Sequence, residues 1–130
     1  MSDKELMELA IKARENAYSP YSNFCVGAAL LAKSGKVYLG CNIENASFSP
    51  TSCAERTAFF TAVAAGEREF EAIAVCGGKR GEKRGACTPC GVCRQVMSEF
   101  CDKNFKIILE DDGTLTAHSL GELLPLAFDL

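Results

Sequence analysis

The sequence predicts an α/β fold with three α-β-α layers, in which helices cover both faces of a central mixed sheet of five strands. The first observation is the order of the predicted elements, α-β-β-α-β-α-β-β-α. The second is the segment "FEAIAVCG" (70–77), which is apolar on both faces, as a central strand would be. The third is the length of 130 residues, which is enough for one core and too short for two. We therefore expect one domain spanning residues 1–130.

The first half of the chain predicts a helix followed by a hairpin. Residues 2–18 are amphipathic, and Ser2 with Glu5 forms a possible capping box at the start of the helix. The apolar face of this helix consists of Leu6, Leu9, Ala10, Ala13 and Ala17. Residues 25–33 and 36–44 are strand-like and are separated by the turn residues "SG", which predicts a β-hairpin.

The second half predicts the helices that carry the chemistry. Residues 53–66 form a largely apolar helix that ends at Gly66 and is expected to be buried. The remaining elements are a helix after the first turn of 89–101, strands at 105–111 and 114–117, and a helical turn or two within 119–125. The helices that start near Cys53 and Cys90 each follow a strand, and in such folds a site forms where helix starts meet at the strand ends.

The composition excludes several classes of protein. The apolar fraction is 48% and the charged fraction is 24%, as in ordinary soluble proteins, and no apolar run approaches the ~20 residues of a membrane span. The start "MSDKELMELA" has acidic residues where a signal peptide would be basic and apolar, so we expect a cytoplasmic protein with no membrane partner. The net charge of −3 does not favour binding to nucleic acid.

The eight cysteines favour metal ligands or buried thiols over disulfides, because a reducing compartment is expected. In "CTPCGVCRQ" (87–95), Cys90 and Cys93 are three residues apart at a helix start, which places both sulfurs on one face. Free N–H groups and the helix dipole favour thiolates there, and Cys53 meets the same conditions. Three such ligands can hold Zn²⁺ with one position open, the arrangement of catalytic zinc.

Two alternatives stay open at this point. Cys87, or the only histidine, His118, could supply a fourth ligand and make a structural zinc module without catalysis. Cys90 and Cys93 alone could form the redox pair of a thiol oxidoreductase.

Glu55 favours catalysis, because it lies two residues after Cys53 and could approach the open face of the metal without binding it. A carboxylate there can take a proton from an activated water. The competing interpretation is a capping box formed by Ser52 and Glu55.

Together these motifs resemble a known family. "CAER" (53–56) followed by "PCGVCRQ" (89–95) is similar to the signature of the zinc-dependent cytidine deaminases within the cytidine/deoxycytidylate deaminase superfamily. "YSPYSNFCVGAALL" (18–31), "GCNIENASF" (40–48) and "ELLPLAF" (122–128) extend the resemblance over nearly the whole chain. A cysteine in "CAE", where larger relatives carry histidine, and the short length resemble the homotetrameric subfamily.

The resemblance implies the reaction and its metal site. It implies hydrolytic deamination of cytidine and deoxycytidine to uridine and deoxyuridine, with release of ammonia, in pyrimidine salvage. One Zn²⁺ per subunit would be held by Cys53, Cys90 and Cys93 and would activate water for attack on C4 of cytosine. Glu55 would be the catalytic residue that carries protons, and the main chain of Ala54 would contact the base.

The resemblance also implies the residues around the metal and the nucleoside. Arg56 would donate to the ligating sulfurs and offset their charge. Asn42 and Glu44 would bind the ribose, and Glu44 would repel a 3′-phosphate, which favours a free nucleoside over a polynucleotide. Phe24 would pack against the base, and Phe128 would reach the site of a neighbouring subunit in a homotetramer whose sites lie near the subunit contacts.

Several features are not absorbed by the resemblance. Phe48 departs from the tyrosine expected there, so any hydroxyl contact is lost, and Cys87 has no assigned role. We expect the basic loop of Lys79, Arg80, Lys83 and Arg84 to be solvated. Phe59 and Phe60 belong either to the core or to a subunit contact. A deaminase of another aminated nucleoside, such as blasticidin S, is the alternative enzyme, although "NIEN" (42–45) favours a ribose.

Overall fold

The computed structural model describes residues 1–130 and has the predicted order of elements. The helices are α1 (Asp3–Arg14), α2 (Ala54–Ala64), α3 (Gly91–Phe100) and α4 (Leu120–Leu123). The strands are β1 (Phe24–Ala32), β2 (Val37–Cys41), β3 (Phe70–Lys79), β4 (Lys106–Asp111) and β5 (Thr114–Ser119). They form one mixed sheet in the order β2-β1-β3-β4-β5, in which β3 and β4 are parallel and the other neighbours are antiparallel. None of the helices has the length and apolar composition needed to cross a membrane.

The predicted three layers are confirmed by two buried clusters, one on each face of the sheet. On one face, α1 packs Leu6, Met7 and Ala10 against alanines of β1 and β3 and against Ile108 of β4. On the other face, α2, α3 and α4 cover the larger cluster, which is centred on Phe59. Phe59 is fully buried, and its ring centroid lies 5.1–6.2 Å from those of the three aromatic residues Phe70, Phe100 and Phe105. Phe59 is therefore a core residue, whereas Phe60 is 51% exposed.

The first helix is shorter than predicted, because it ends at Arg14 rather than at residue 18. The Arg14 side chain donates to the carbonyl oxygens of Cys25 and Gly78, at 2.9 and 2.7 Å, which ties the end of the helix to the sheet. The chain then turns, and the Tyr18 N–H donates to the Asn42 carbonyl at 3.0 Å. At the other end, Ser2 Oγ accepts the Glu5 N–H at 3.1 Å, so one bond of the predicted capping box is present.

The second strand is also shorter than predicted, since β2 ends at Cys41 and places Asn42 and Glu44 beyond it. The Asn42 side chain explains this ending, because its Oδ1 accepts the Val26 N–H and its Nδ2 donates to the Phe24 carbonyl, both at 2.8 Å. The Asn42 side chain thus bonds to the start of β1, where the backbone of a longer β2 would otherwise have paired with it. Ile43 then forms isolated β-bridges with Tyr18 and with Ser52.

The prediction of a solvated basic loop was wrong for Arg84, whereas Lys79, Arg80 and Lys83 are exposed as predicted. Arg84 forms an ion pair with Glu110 of β4, and Arg80 donates to the Ala17 carbonyl at 2.9 Å. Lys83 forms only an exposed pair with Asp112, at 2.8 Å. Guanidinium groups have several donors that can reach buried acceptors, and here they attach the loop to β4 and to the segment between α1 and β1.

Candidate active site

Three thiols converge where α2 and α3 begin. Cys53 is the N-cap residue of α2, Cys90 is the N-cap residue of α3, and Cys93 lies in the first turn of α3. Their Sγ atoms all lie within 4.8 Å of one another, with 3.9 Å between Cys53 and Cys90 and 3.4 Å between Cys90 and Cys93. Tetrahedral zinc with Zn–S bonds of about 2.3 Å requires sulfur–sulfur distances of about 3.8 Å. The group therefore fits the zinc site that the spacing predicted.

The electrostatics of the group favour a thiolate on Cys53. A hydrogen bond with Cys93 is the main cause that lowers the pKa of Cys53 to about 5, and a bond with Arg56 adds to it. The same bond with Cys53, together with burial, raises the pKa of Cys93 above its usual range. Neither helix start has a side-chain cap, so the free N–H groups of both first turns lie beside the sulfurs.

Neither candidate for a fourth protein ligand belongs to the group. Cys87 packs instead against Gly77, where a Cβ would lie 2.7 Å from the Cys87 Sγ. His118 faces Glu122, with 3.5 Å between Nδ1 and Oε2, and its Nε2 contacts Thr116 Oγ1 at 3.0 Å. The structure therefore favours three protein ligands and one open position, as in catalytic zinc sites.

Glu55 is the buried carboxyl group at this site, with only 4% of its surface exposed. Burial is the main cause that raises its pKa to about 7. The competing capping-box interpretation was wrong, because the N-cap residue is Cys53 and the Ser52 hydroxyl contacts Thr57 Oγ1 at 3.2 Å. A carboxyl group that titrates near neutral pH can both accept and return a proton.

Arg56 lies where a cation is needed. Its Nη2 donates to Cys53 Sγ at 3.2 Å, and this bond is the main cause that raises the pKa of Arg56. Its Nε is buried and has no hydrogen-bond partner. The guanidinium group therefore stays charged beside the sulfurs and can offset the excess negative charge of three thiolates.

The residues expected to bind the base lie at the start of β1 and of α2. Phe24 is the first residue of β1 and is 36% exposed, and its ring approaches Gly77. Ala54 is the first residue of α2, so its N–H has no acceptor within the helix. Asn42 uses one N–H and one oxygen lone pair on β1, which leaves one of each for a ligand.

Glu44 lines a cleft of about 380 Å³ together with Tyr21, Ser22, Phe48 and Thr51. Its Oε1 accepts the N–H groups of Tyr21 and Ser22 at 2.9 and 3.2 Å, and its Oε2 accepts the Ser22 hydroxyl. These bonds, led by that of the Ser22 hydroxyl, lower the pKa of Glu44, so the group is a carboxylate at neutral pH. Sequence reasoning gave no role to Tyr21 and Ser22, although both lie in the segment 18–31 that carries part of the family resemblance.

Phe128 lies on the outer surface, away from the buried core. Its side chain is 66% exposed, and its carbonyl accepts a bond from Gln95 Nε2 of α3 at 3.2 Å. Phe48 is 82% exposed at the rim of the Glu44 cleft. Both aromatic rings are therefore accessible to a second molecule.

Comparison with known proteins identifies the family. Residues 1–109 match the family model described as the cytidine and deoxycytidylate deaminase zinc-binding region. The chain belongs to this family. A cytidine deaminase from Sporosarcina psychrophila is 49% identical over 129 residues, which cover 98% of this chain and 92% of that relative.

Solved structures support the same assignment. The crystal structure of cytidine deaminase from Burkholderia pseudomallei matches with a TM-score of 0.91 and 51% identity, and covers 98% of this chain and 100% of that chain. A blasticidin-S deaminase from Bacillus cereus is more distant, at 29% identity over 130 residues that cover 97% of this chain and 91% of that relative. The predicted fold, family, enzyme class and zinc cofactor are thereby confirmed, and the non-catalytic zinc module and the thiol oxidoreductase are disfavoured.

Proposed function

We propose that the protein catalyses the zinc-dependent hydrolytic deamination of cytidine and deoxycytidine to uridine and deoxyuridine, with release of ammonia, as a step of pyrimidine salvage. The observation that carries the proposal is the convergence of three thiols from two helix starts beside a buried carboxyl group, Glu55. The identities of 49% and 51% to cytidine deaminases support this reaction over deamination of blasticidin S. We assign it to one domain formed by residues 1–130.

Cys53, Cys90 and Cys93 would hold one zinc ion per chain. Zinc in such a site supplies a Lewis acid that makes water nucleophilic at neutral pH. Arg56 keeps the site from becoming too negative, because its guanidinium group donates to Cys53 Sγ at 3.2 Å.

Glu55 moves the proton. Its place in the first turn of α2, two residues after Cys53, brings the carboxyl group to the same end of the helix as the thiols. It takes the proton from the attacking water, delivers it to N3 of cytosine, and later assists the departure of ammonia from C4. Its burial excludes bulk water, which would otherwise compete for the proton.

The nucleoside is held by groups on both sides of the site. The ring of Phe24 packs against the base, and the free N–H at Ala54 donates to it. The remaining N–H of Asn42 and the carboxylate of Glu44 bind the ribose hydroxyls. The negative charge of Glu44 opposes a 3′-phosphate, so a free nucleoside is the substrate and nucleic acid is not.

We further propose a homotetramer in the cytoplasm, with the sites near the subunit contacts. Large apolar side chains are exposed in the subunit, and such surfaces mark contacts between proteins. They include Phe48, Phe60, Val92, Leu126, Phe128 and Leu130. Phe128 of one chain would approach the site of its neighbour. Sedimentation at micromolar concentration that gives only a 14.0 kDa species would refute the tetramer.

The function is tested by following the absorbance change when purified, zinc-loaded protein converts cytidine to uridine. Glu55→Gln should lower turnover by about 10²-fold or more while zinc content stays normal. Glu71→Gln, a change at an exposed residue of β3, is the matched control and should leave turnover unchanged. A zinc-loaded wild type that converts blasticidin S and not cytidine would overturn the proposed substrate.

A further inference from the structure

The loop between β3 and α3 comes back onto the sheet through residues 84–87, here called the return leg. Arg84 at its start forms a two-point ion pair with Glu110 of β4, with 2.6 Å between Nε and Oε1 and 3.1 Å between Nη2 and Oε2. Glu110 is only 3% exposed, whereas the Arg84 side chain is 31% exposed. A buried carboxylate with a forked partner fixes the backbone on both sides of the pair.

The return leg lies directly on glycine backbone of β3. A Cβ at Gly78 would lie 3.0 Å from the Arg84 Cα, and a Cβ at Gly77 would lie 2.7 Å from the Cys87 Sγ. The Gly85 N–H donates to the Gly77 carbonyl at 3.3 Å. Two adjacent glycines therefore let the leg approach more closely than any other residue type would allow.

The leg ends at two parts of the active site. A Cβ at Gly77 would also lie 3.1 Å from Phe24 Cε1, so Cys87 and the Phe24 ring share one surface of the same glycine. Three residues after Cys87 the chain reaches Cys90, the N-cap residue of α3. The return leg thus lies beside the Phe24 ring and leads directly into the start of α3, where Cys90 and Cys93 lie.

We propose that the Arg84–Glu110 ion pair positions the active site, by holding the return leg on Gly77 and Gly78 so that Cys87 supports the Phe24 ring. The inference rests on the proposed function, since it takes Phe24 as the wall of the base site. It gives roles to Cys87 and to the basic loop.

The other ion pair of the loop is too weak to replace this one, and the bond from Arg80 to the Ala17 carbonyl holds the loop ahead of the return leg. Lys83 and Asp112 join the same two segments, but their side chains are 75% and 54% exposed, and exposed pairs contribute little. Gly81 has a φ of +79°, and a Cβ at Gly85 would meet nothing within 4 Å, so neither position offers a side-chain contact that would stiffen the loop. Loss of the buried pair should therefore loosen the leg locally.

The test compares the alkylation of two thiols in the zinc-loaded protein, read by mass spectrometry for each cysteine. Burial is the main cause that raises the pKa of both Cys87 and Cys101 to about 12, so both react slowly unless the structure opens. Glu110→Gln keeps the shape of the side chain and removes its charge. It should speed the alkylation of Cys87 by about tenfold, which corresponds to ~1.4 kcal/mol of easier local opening, and leave Cys101 unchanged.

Two further variants separate the charge from the geometry. Arg84→Lys keeps the charge but not the fork, so it should give a smaller acceleration at Cys87 than Glu110→Gln gives. Lys83→Met removes only the exposed pair of the same loop and should match the wild type. In Glu110→Gln the KM for cytidine should rise threefold or more while kcat changes less than twofold, because the Phe24 ring contacts the base equally in the substrate and in the transition state.

Three results would overturn the proposal: equal acceleration at Cys87 and Cys101, no acceleration at Cys87, or an unchanged KM in Glu110→Gln. The first would show that the pair contributes only to global stability. If the wild type fails to turn over cytidine, the proposed function fails by itself. The ratio of the two alkylation rates needs no substrate and still decides whether the pair holds the return leg.

Discussion

The substitution Gly40→Ala should damage the active site without touching any of its side chains. Gly40 lies in β2 with an ordinary strand backbone, so alanine is allowed by its dihedral angles. The space is missing, because a Cβ there would lie 2.3 Å from the Ala54 carbonyl oxygen and 2.5 Å from the Ala58 nitrogen. Both atoms belong to the backbone of α2, which cannot rotate away as a side chain can.

The required movement follows from these distances. The Ala54 oxygen must retreat from 2.3 Å to at least 3.4 Å, a shift of about 1.1 Å for the first turn of α2. That turn carries Glu55 and follows Cys53, whose Sγ lies 3.9 Å from that of Cys90. Overpacking of this kind costs about 1–3 kcal/mol of folding free energy. A misplacement of about 1 Å at a catalytic centre can lower the rate about 10²-fold.

The assay therefore has three readouts for Gly40→Ala. The midpoint of thermal unfolding should fall by about 4–12 °C, since ~1 kcal/mol corresponds to roughly 4 °C at this chain length. The kcat/KM for cytidine should fall about 10²-fold. Zinc should be released faster to a chromogenic chelator, because the thiols no longer match the tetrahedral distances.

Gly85→Ala is the matched control, because a Cβ at Gly85 meets nothing within 4 Å and its φ is not positive. Its stability and activity should equal those of the wild type or slightly exceed them. A Gly40→Ala protein with normal unfolding temperature, zinc retention and turnover would refute the argument from close approach.

Three further predictions concern single side chains. Arg56→Ala removes the donor to Cys53 Sγ, so both zinc affinity and turnover should fall. The zinc affinity, measured by chelator competition, should fall about 10- to 100-fold. Burial raises the pKa of Cys101 from the ordinary 9.0 to about 12. The contribution of its neutral thiol to the free energy of unfolding is therefore complete below pH 9.0 and is lost as the pH rises toward 12. Cys101→Ala should therefore lose less stability than the wild type between pH 9 and 11 in thermal unfolding. Ser119→Ala removes the capping box with Glu122 at the start of α4, and should lower the free energy of unfolding by about 0.5–2 kcal/mol in denaturant titrations.

Each of these predictions has a contrary result. Arg68→Ala, at an exposed arginine beyond the end of α2, should leave zinc retention unchanged, and equal loss in both arginine variants would contradict the role of Arg56. A Cys101→Ala protein whose stability falls with pH as steeply as that of the wild type would show that other groups dominate alkaline unfolding. Unchanged stability in Ser119→Ala would mean that tertiary contacts alone hold α4.

The order of elements and the pairing of Cys90 with Cys93 were predictable because both depend on local spacing. Helical periodicity, continuous apolar runs and turn residues together placed the helices and strands. Cys90 and Cys93 share one face because they are three residues apart at a helix start. Element ends were less predictable: β2 stops at Cys41 because the Asn42 side chain bonds to β1, a contact across 16 positions of the chain.

The sequence by itself determined which residues can do the chemistry: three thiols, a carboxyl group and a guanidinium group at two helix starts. Only the tertiary structure decided which of them meet and what holds them there. It placed Cys87 against Gly77 rather than in the metal group, and joined Arg84 to Glu110 across 26 positions. It also brought α2 against Gly40. The physical reason is that side-chain type and spacing act within a few residues, whereas close approach depends on how distant backbones pack.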